Sequence, residues 1–239
     1  MKTLLAIGMS AWAGLFGLTC TSNAVVFNGS FESWNLIGWT VDMPHGISAN
    51  APFDRTAGGA RTVTSWGEDH GLATPRMPQD GNRFAQLRTR ANADFVGDDT
   101  YNLSLTQTVH MNQGDTLSGW SFFYNGDLQP QDSAWVRIAD ELGNDIATPW
   151  LEGSGSLTLS SVAPLSATDW TRWEWTSPGS AVYTIRLGMT TRGNNNGGSY
   201  AFFDGMNLEA ANSVPEPSAA VLGLLGAFCL TYLRRPRAC

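Results

Sequence analysis

Short runs in which apolar and polar residues alternate recur through the middle of the chain. The clearest run spans 181–191, where every second side chain is large and apolar: Tyr183, Ile185, Leu187 and Met189. Successive side chains of a β-strand point to opposite faces, so this run predicts a strand with one face in a core and the other toward water. The run Trp173-Glu174-Trp175 has the same pattern, with both indoles on one face.

Similar runs predict six strands, at 102–111, 116–125, 133–141, 171–177, 181–191 and 199–210. Clusters of Gly, Asn, Asp, Ser and Pro separate them and mark turns. We expect a hairpin turn at 141–145, a surface loop at 152–156, and a second hairpin at 193–198 that joins the last two strands. No stretch has a sustained helical period. The pattern therefore predicts an all-β fold, an antiparallel jelly-roll-like β-sandwich.

The first 24 residues have the three parts of a secretory signal peptide. Lys2 provides a positive start, 4–18 is apolar and uncharged, and small side chains at 22–24 precede a cut before Val25. A lipoprotein signal at Cys20 is the alternative, but the residues before the cysteine fit it poorly. The chain is therefore expected to be exported.

The expected domain organisation is a signal peptide at 1–24, a β-sandwich at 25–213 and a sorting tail at 214–239. The middle segment has ten arginines, no lysine and twenty acidic residues, a formal charge of −10. Such a surface repels phosphate backbones, so we expect no nucleic-acid partner. It is compatible with divalent cations, or simply with solubility. All three cysteines lie outside this segment, so no disulfide framework is expected.

The tail begins with a proline spacer and continues with an uncharged apolar run at 218–233. This run predicts a short C-terminal transmembrane helix, about 24 Å long against a hydrocarbon core of about 30 Å. A basic stop follows it and should remain cytoplasmic by the positive-inside rule: Arg234, Arg235 and Arg237. The body of the protein would then face outward.

This order of VPEPS, a short apolar span and a terminal arginine cluster resembles the PEP-CTERM sorting signal of Gram-negative bacteria. The resemblance covers about the last 26 residues, and the terminal Cys239 departs from it. It implies a sorting motif at Pro215, Glu216 and Pro217, a transient stay in the inner membrane, and processing by an exosortase, a membrane-embedded cysteine transpeptidase-like enzyme. Such proteins are associated with exopolysaccharide and biofilm matrix, so the expected final location is the cell surface or the extracellular matrix.

The body carries a looser resemblance. Its opening VVFNGSFESWNLIGWTV (25–41) and its closing YAFFDGMNLEA (200–210) are similar to carbohydrate-binding modules and galactose-binding-like sandwiches. PQDGNRFAQLRT (78–89) and LSLTQTV (103–109) lie between them in the same order. The resemblance implies contact with polysaccharide or other matrix components, without catalysis.

Glu32 and Asp204 are candidate metal ligands, because the two ends of a sandwich often meet. Two carboxylates that approach each other repel unless a cation or proton separates them, and Ca²⁺ suits oxygen ligands. In the resembling modules such a calcium is structural and ties the termini together. In this chain, backbone carbonyls near Asn28 and in the Asp80-Gly81 turn would complete its shell. The alternative is a solvated acid and a turn former. A second acidic patch, DFVGDD at 94–99, reads as a solvated loop.

Tryptophans in loop-like contexts are the candidates for stacking on a sugar: Trp66, Trp150 and Trp170. Those in strand-like runs are expected in the core: Trp34, Trp39, Trp120, Trp135, Trp173 and Trp175.

Signs of catalysis are weak. None of the three histidines, at 45, 70 and 110, has a metal-pair spacing, and GEDHG (67–71) reads as a polar loop. No nucleophile elbow is present. We therefore predict a non-enzymatic protein. The alternatives are a purely structural matrix protein without sugar binding, and a glycoside hydrolase whose carboxylates meet only in space.

Overall fold

The computed structural model describes residues 25–42, 59–67, 74–88, 100–126, 132–153, 166–192 and 198–211. Within these ranges the chain forms eleven strands and no α-helix. The strands are β1 (Thr40–Asp42), β2 (Gly59–Val63), β3 (Phe84–Arg88), β4 (Thr100–Met111), β5 (Thr116–Asn125), β6 (Ser133–Ala139), β7 (Asp145–Gly153), β8 (Ser166–Ala167), β9 (Thr171–Thr176), β10 (Ala181–Arg192) and β11 (Tyr200–Glu209).

The strands form two antiparallel sheets. The first sheet has the order β1-β4-β10-β6-β7, and the second has the order β2-β3-β11-β5-β8, with β9 also paired to β5. The predicted all-β class is confirmed, and each of the six predicted strands is present with ends displaced by at most two residues. Strands β1, β2, β3, β7 and β8 were not among the predictions; β1 and β8 have only three and two residues.

The predicted hairpin across 193–198 is wrong, because β10 and β11 lie in different sheets. β10 pairs with β4 and β6 and so is a central strand of the first sheet, whereas β11 pairs with β3 and β5. Both edges of β10 are occupied, so the chain must cross to the other sheet. The predicted turn at 141–145 does join β6 to β7, where the Asp140 carboxylate accepts the Leu142 and Asn144 amides at 2.9 and 2.8 Å.

The main core lies between the two sheets. The alternation predicted for β10 is confirmed, since its apolar side chains are all buried: Tyr183, Ile185, Leu187 and Met189. They face Phe123 and Phe203 from the second sheet in one hydrophobic cluster. Burial of these side chains on both inner faces is what holds the sheets together.

The outer face of the second sheet carries a separate aromatic cluster. It consists of buried rings: Trp66, Phe84, Phe122, Tyr124, Tyr200 and Phe202. Phe122 and Phe202 stack with ring centroids 4.0 Å apart, and Trp66 packs over them. These packed rings therefore exclude solvent from this part of the outer face of the second sheet.

The signal peptide and the sorting tail lie outside the described residues, and so do the 94–99 patch, His45 and His70. Among the residues that are described, no helix is long and apolar enough to cross a membrane.

Candidate functional site

The outer face of the first sheet is polar and carries an open groove of about 490 Å³. Its side chains occupy the positions of β4 and β10 that alternate with the core positions, so the pleat of the strands directs them outward. The lining residues come from four strands: Thr40, Val41, Asp42, Asn102, Ser104, Thr106, Trp135, Arg137, Thr184 and Arg186. The groove thus crosses the strands from β1 to β6.

Trp135 forms one wall of the groove and lies flat over Gly188 of the neighbouring strand. A Cβ at Gly188 would come within 2.3 Å of the indole Cη2, so only glycine permits this approach. The indole N–H donates to Thr190 Oγ1 at 2.9 Å, and that hydroxyl donates to Asn102 Oδ1 at 2.7 Å. The Arg137 guanidinium lies 4.2 Å from the ring centroid. Trp135 is only 4% exposed, as expected, so it shapes the groove without forming an open platform.

Arg137 and Arg186 supply hydrogen-bond donors at one end of the groove. Asp145 accepts from both, with Arg186 Nη1 at 2.9 Å from Oδ1 and Arg137 Nη1 at 3.4 Å from Oδ2. Arg186 Nη2 also donates to the Gly143 carbonyl at 3.2 Å. These contacts restrain the two guanidinium groups while each remains about one-third exposed. Donors restrained in this way lose little entropy when they bind a ligand oxygen.

Two of the three candidate stacking tryptophans are buried. Trp66 and Trp150 are 6% and 5% exposed, so neither presents a face to solvent. Trp66 packs in the outer aromatic cluster and Trp150 lies within β7 against Phe203. Trp170 is half-buried, and its N–H donates to the Met77 carbonyl at 2.9 Å.

Trp34, which the strand-like pattern assigned to the core, is 77% exposed and is the most exposed aromatic side chain among the described residues. Its φ of 65° is typical of a turn and not of a strand, so strand alternation does not apply to its side chain. Propensity and alternation carry no signal for such a turn.

Glu32 and Asp204 bind the two ends of one turn, 79–83. Asp204 Oδ2 accepts the amides of Gln79 and Asp80 at 2.6 and 2.9 Å, and Glu32 Oε1 accepts those of Asn82 and Arg83, both at 2.7 Å. Gly81 lies between them at φ 66°, with Glu32 so close that a Cβ would meet its carboxyl carbon at 2.6 Å. The two carboxylates therefore clamp the 79–83 turn through its backbone.

Asp204 is fully buried, and this burial raises the pKa of its carboxyl group to about 7 against the opposing effect of the amide hydrogen bonds. None of the ion pairs formed among the described residues involves Glu32 or Asp204. A desolvated carboxylate without a cationic partner favours either a proton or a metal ion.

The oxygens of this clamp partly fit a calcium site. Two carboxylates at one turn provide the hard, anionic ligands that Ca²⁺ takes, and their charge is not otherwise compensated. The expected carbonyl ligand at Asn28 is already engaged, because it accepts the Phe31 amide and the Trp39 indole N–H, both at 3.2 Å. Within the described ranges, no three His, Cys, Asp or Glu side chains lie together as a metal cluster.

Comparison with known proteins gives structural neighbours and no family. No protein-family model and no curated protein sequence matches the chain. The structural neighbours are mostly carbohydrate-binding β-sandwich modules. One is TmCBM61, solved in complex with β-1,4-galactotriose: 14% identity, TM-score 0.46, 77% of this chain and 96% of the other covered.

Two further neighbours are another carbohydrate-binding module and an enzyme domain. The CBM22-1 xylan-binding domain of Paenibacillus barcinonensis Xyn10C has 14% identity and a TM-score of 0.37, covering 78% of this chain and 94% of that domain. The enzymatically active domain of tailspike protein 4 from bacteriophage CBA120 has 13% identity and a TM-score of 0.40, covering 76% of this chain and 20% of the tailspike chain. At these sequence identities and TM-scores, the structural likeness assigns no function to this chain.

Proposed function

We propose that this protein is a non-catalytic polysaccharide-binding β-sandwich that acts at the cell surface or in the extracellular matrix. The observation that carries the proposal is the groove across the first sheet. Its lining offers hydroxyl, amide, carboxylate and guanidinium groups from four strands. Polysaccharides present repeated hydroxyl groups, which such a row of donors and acceptors can bind.

The charge of the groove favours binding over catalysis. Asp42 is the single carboxylate among the described residues that line it, and the adjacent Asp145 is engaged by Arg137 and Arg186, whereas glycoside hydrolysis ordinarily uses two working carboxyl groups. Arg137 and Arg186 already share Asp145, so the arginines are restrained as donors. Together these features support a site that holds a sugar chain without cleaving it.

Binding is tested with the full-length protein in non-ionic detergent against a panel of neutral and acidic polysaccharides, by isothermal titration calorimetry. We expect one class of polymer to bind, and Arg186→Ala to weaken that binding by roughly tenfold. Arg172→Ala is the matched control, because this arginine is half-exposed and ion-paired to Glu174 on β9 of the other sheet. Failure to bind any polymer would favour the structural matrix protein, and turnover of the polymer would favour the hydrolase.

Export and sorting form a second part of the proposal, supported by the sequence of the tail. The chain would pass the inner membrane, be held there briefly by 218–233, and be released by an exosortase acting at Pro215-Glu216-Pro217. Replacing these three residues by alanine should leave membrane insertion intact and block release, as seen by cell fractionation. Neutralising Arg234, Arg235 and Arg237 should instead disturb retention or orientation. Normal release of the triple-alanine variant would contradict this part.

Calcium is the third part. The uncompensated carboxylates of Glu32 and Asp204 would hold one Ca²⁺ beside the 79–83 turn, where it would fix the start of the body to β11. Calcium should then raise the melting temperature of the wild-type protein and of Asp140→Asn, a control at an exposed turn. It should not raise that of Glu32→Ala or Asp204→Asn. Equal melting temperatures of the wild type in calcium and in EGTA would refute the site.

A further inference from the structure

A second opening lies beside the groove and contains the exposed Trp34. It measures about 570 Å³ and lies between the 34–41 segment, strand β2 and Arg83, the residue before β3. One residue, Val41, lines both this opening and the groove, so the two adjoin around the edge strand β1. A polymer that leaves the groove across β1 therefore reaches this opening next.

The indole of Trp34 is held in place although it is exposed. The Arg83 guanidinium carbon lies 3.5 Å from the ring centroid, and Arg83 Nη1 donates to Thr62 Oγ1 at 3.2 Å. The backbone amide of Arg83 is itself fixed by Glu32 at 2.7 Å. An aromatic ring restrained in this way loses little entropy on binding.

The backbone that carries Trp34 is also fixed. The Asn28 side-chain amide donates to the carbonyls of Asn35 and Ile37, both at 3.1 Å, and the Asn35 side chain accepts the Ile37 amide at 3.0 Å. The left-handed backbone at Trp34 is thus over-determined by its neighbours. Unusual backbone conformations held by their surroundings concentrate at binding sites.

The chemistry around Trp34 fits a sugar ring. Arg83 covers the ring on one side, and the opening is flanked by groups that can hydrogen-bond, those of Asn35, Arg61 and Thr62. A pyranose has apolar C–H faces and a polar rim, and an indole flanked by polar groups matches both. Ile37 lines the same opening and is 55% exposed, so it adds apolar surface on which the C–H face of a sugar can rest.

We propose that Trp34 is a stacking platform for a pyranose unit of the same polysaccharide chain that occupies the groove, so that the binding surface continues over β1. This inference rests on the proposed function, and it assigns the additional subsite to a turn on which the sequence pattern placed a core residue. The platform is reached only by chains long enough to extend beyond the groove.

The test uses the full-length protein in non-ionic detergent and the polymer that the panel identifies. That polymer is cut into oligosaccharides from two to about eight units, and their affinities are measured by calorimetry for wild type and variants. Trp34→Ala should weaken the longest oligosaccharides by roughly tenfold and leave the shortest ones that bind unchanged. Trp34→Phe should recover most of the loss. Met77→Ala is the matched control, because this apolar residue is 58% exposed and lines neither the groove nor the opening.

The outcomes separate the platform from the groove. If the wild type binds and Trp34→Ala is unchanged at every length, the platform is refuted and the groove stands. Equal weakening at every length would also overturn the platform, because it would mean that Trp34 acts on the groove itself. Self-association that sedimentation detects in the wild type and not in Trp34→Ala would assign the surface to a second copy of the chain instead. If no polymer binds the wild type, the proposed function fails first.

Discussion

Replacing Asp204 by asparagine isolates the cost of burying its charge. Asp204 is fully buried on β11, and burial raises the pKa of its carboxyl group from 3.8 to about 7. The folded protein therefore retains a proton on this group that the unfolded chain releases near pH 4. Asparagine has nearly the same shape and never ionises, so it removes the titration while keeping an acceptor for the Gln79 and Asp80 amides. Its NH2 group replaces the oxygen that accepts the Gly205 amide at 2.8 Å, and that lost hydrogen bond adds a cost that is the same at every pH.

The sign and size of the effect follow from linkage. Where the folded state binds more protons than the unfolded state, stability falls as pH rises, by about 1.4 kcal/mol per pH unit for one proton. Below pH 3.8 both states are protonated and Asp204 contributes no pH dependence. Between there and about pH 7 the calcium-free wild type should lose on the order of 4 kcal/mol relative to Asp204→Asn.

The assay is urea unfolding of both proteins in EGTA at several pH values, with the difference in unfolding free energy plotted against pH. Subtracting the two curves removes the other titrating groups. Asp140→Asn gives an opposite control, because hydrogen bonds from Asn144 lower the pKa of that carboxyl group, so its stabilisation appears as pH rises. A wild-type minus Asp204→Asn difference that stays constant from pH 4 to pH 8 would refute the argument from burial.

Three further changes test the fold around the groove, each by urea unfolding. Gln107→Leu removes a buried side chain that binds both backbone groups of Phe27 and should cost about 2–3 kcal/mol; a loss below about 0.5 would contradict this. Gly188→Ala should displace Trp135 and cost about 1–3 kcal/mol, with a change in tryptophan fluorescence; an unchanged spectrum would argue against the close packing. Asp115→Ala unpairs two backbone amides and should cost about 2 kcal/mol, whereas a neutral effect would mean that water replaces the carboxylate.

The candidate site was predictable in part. Glu32 and Asp204 were correctly expected to approach a common region, because they follow apolar segments at the two ends of the body. The partner they share, the 79–83 turn, was expected to offer carbonyl oxygens but presents its amides. Turn backbone orientation depends on φ values such as that of Gly81, which alternation does not encode.

The tryptophans were predicted least well. A strand-like setting predicts burial and a loop-like setting predicts exposure, yet Trp34 is exposed and Trp66 is buried. Trp66 is covered because the outer face of the second sheet is itself aromatic, with Phe122 and Phe202 stacked beneath it. Which loop folds over that face is a matter of long-range packing and not of the local pattern.

The sequence by itself determined the class of fold and the positions of the long strands, because alternation with a period of two reports directly which side chains leave water. It also determined the acidic charge of the body. Tertiary structure alone decided how those strands are distributed between the two sheets. It therefore also decided that the chain passes from one sheet to the other after β10, instead of forming a hairpin with β11. The groove follows from that distribution, since Asp42, Asn102, Arg137 and Arg186 become neighbours only when β1, β4, β10 and β6 pair side by side. Pairing of distant strands is set by how the whole core packs, and no local segment contains that information.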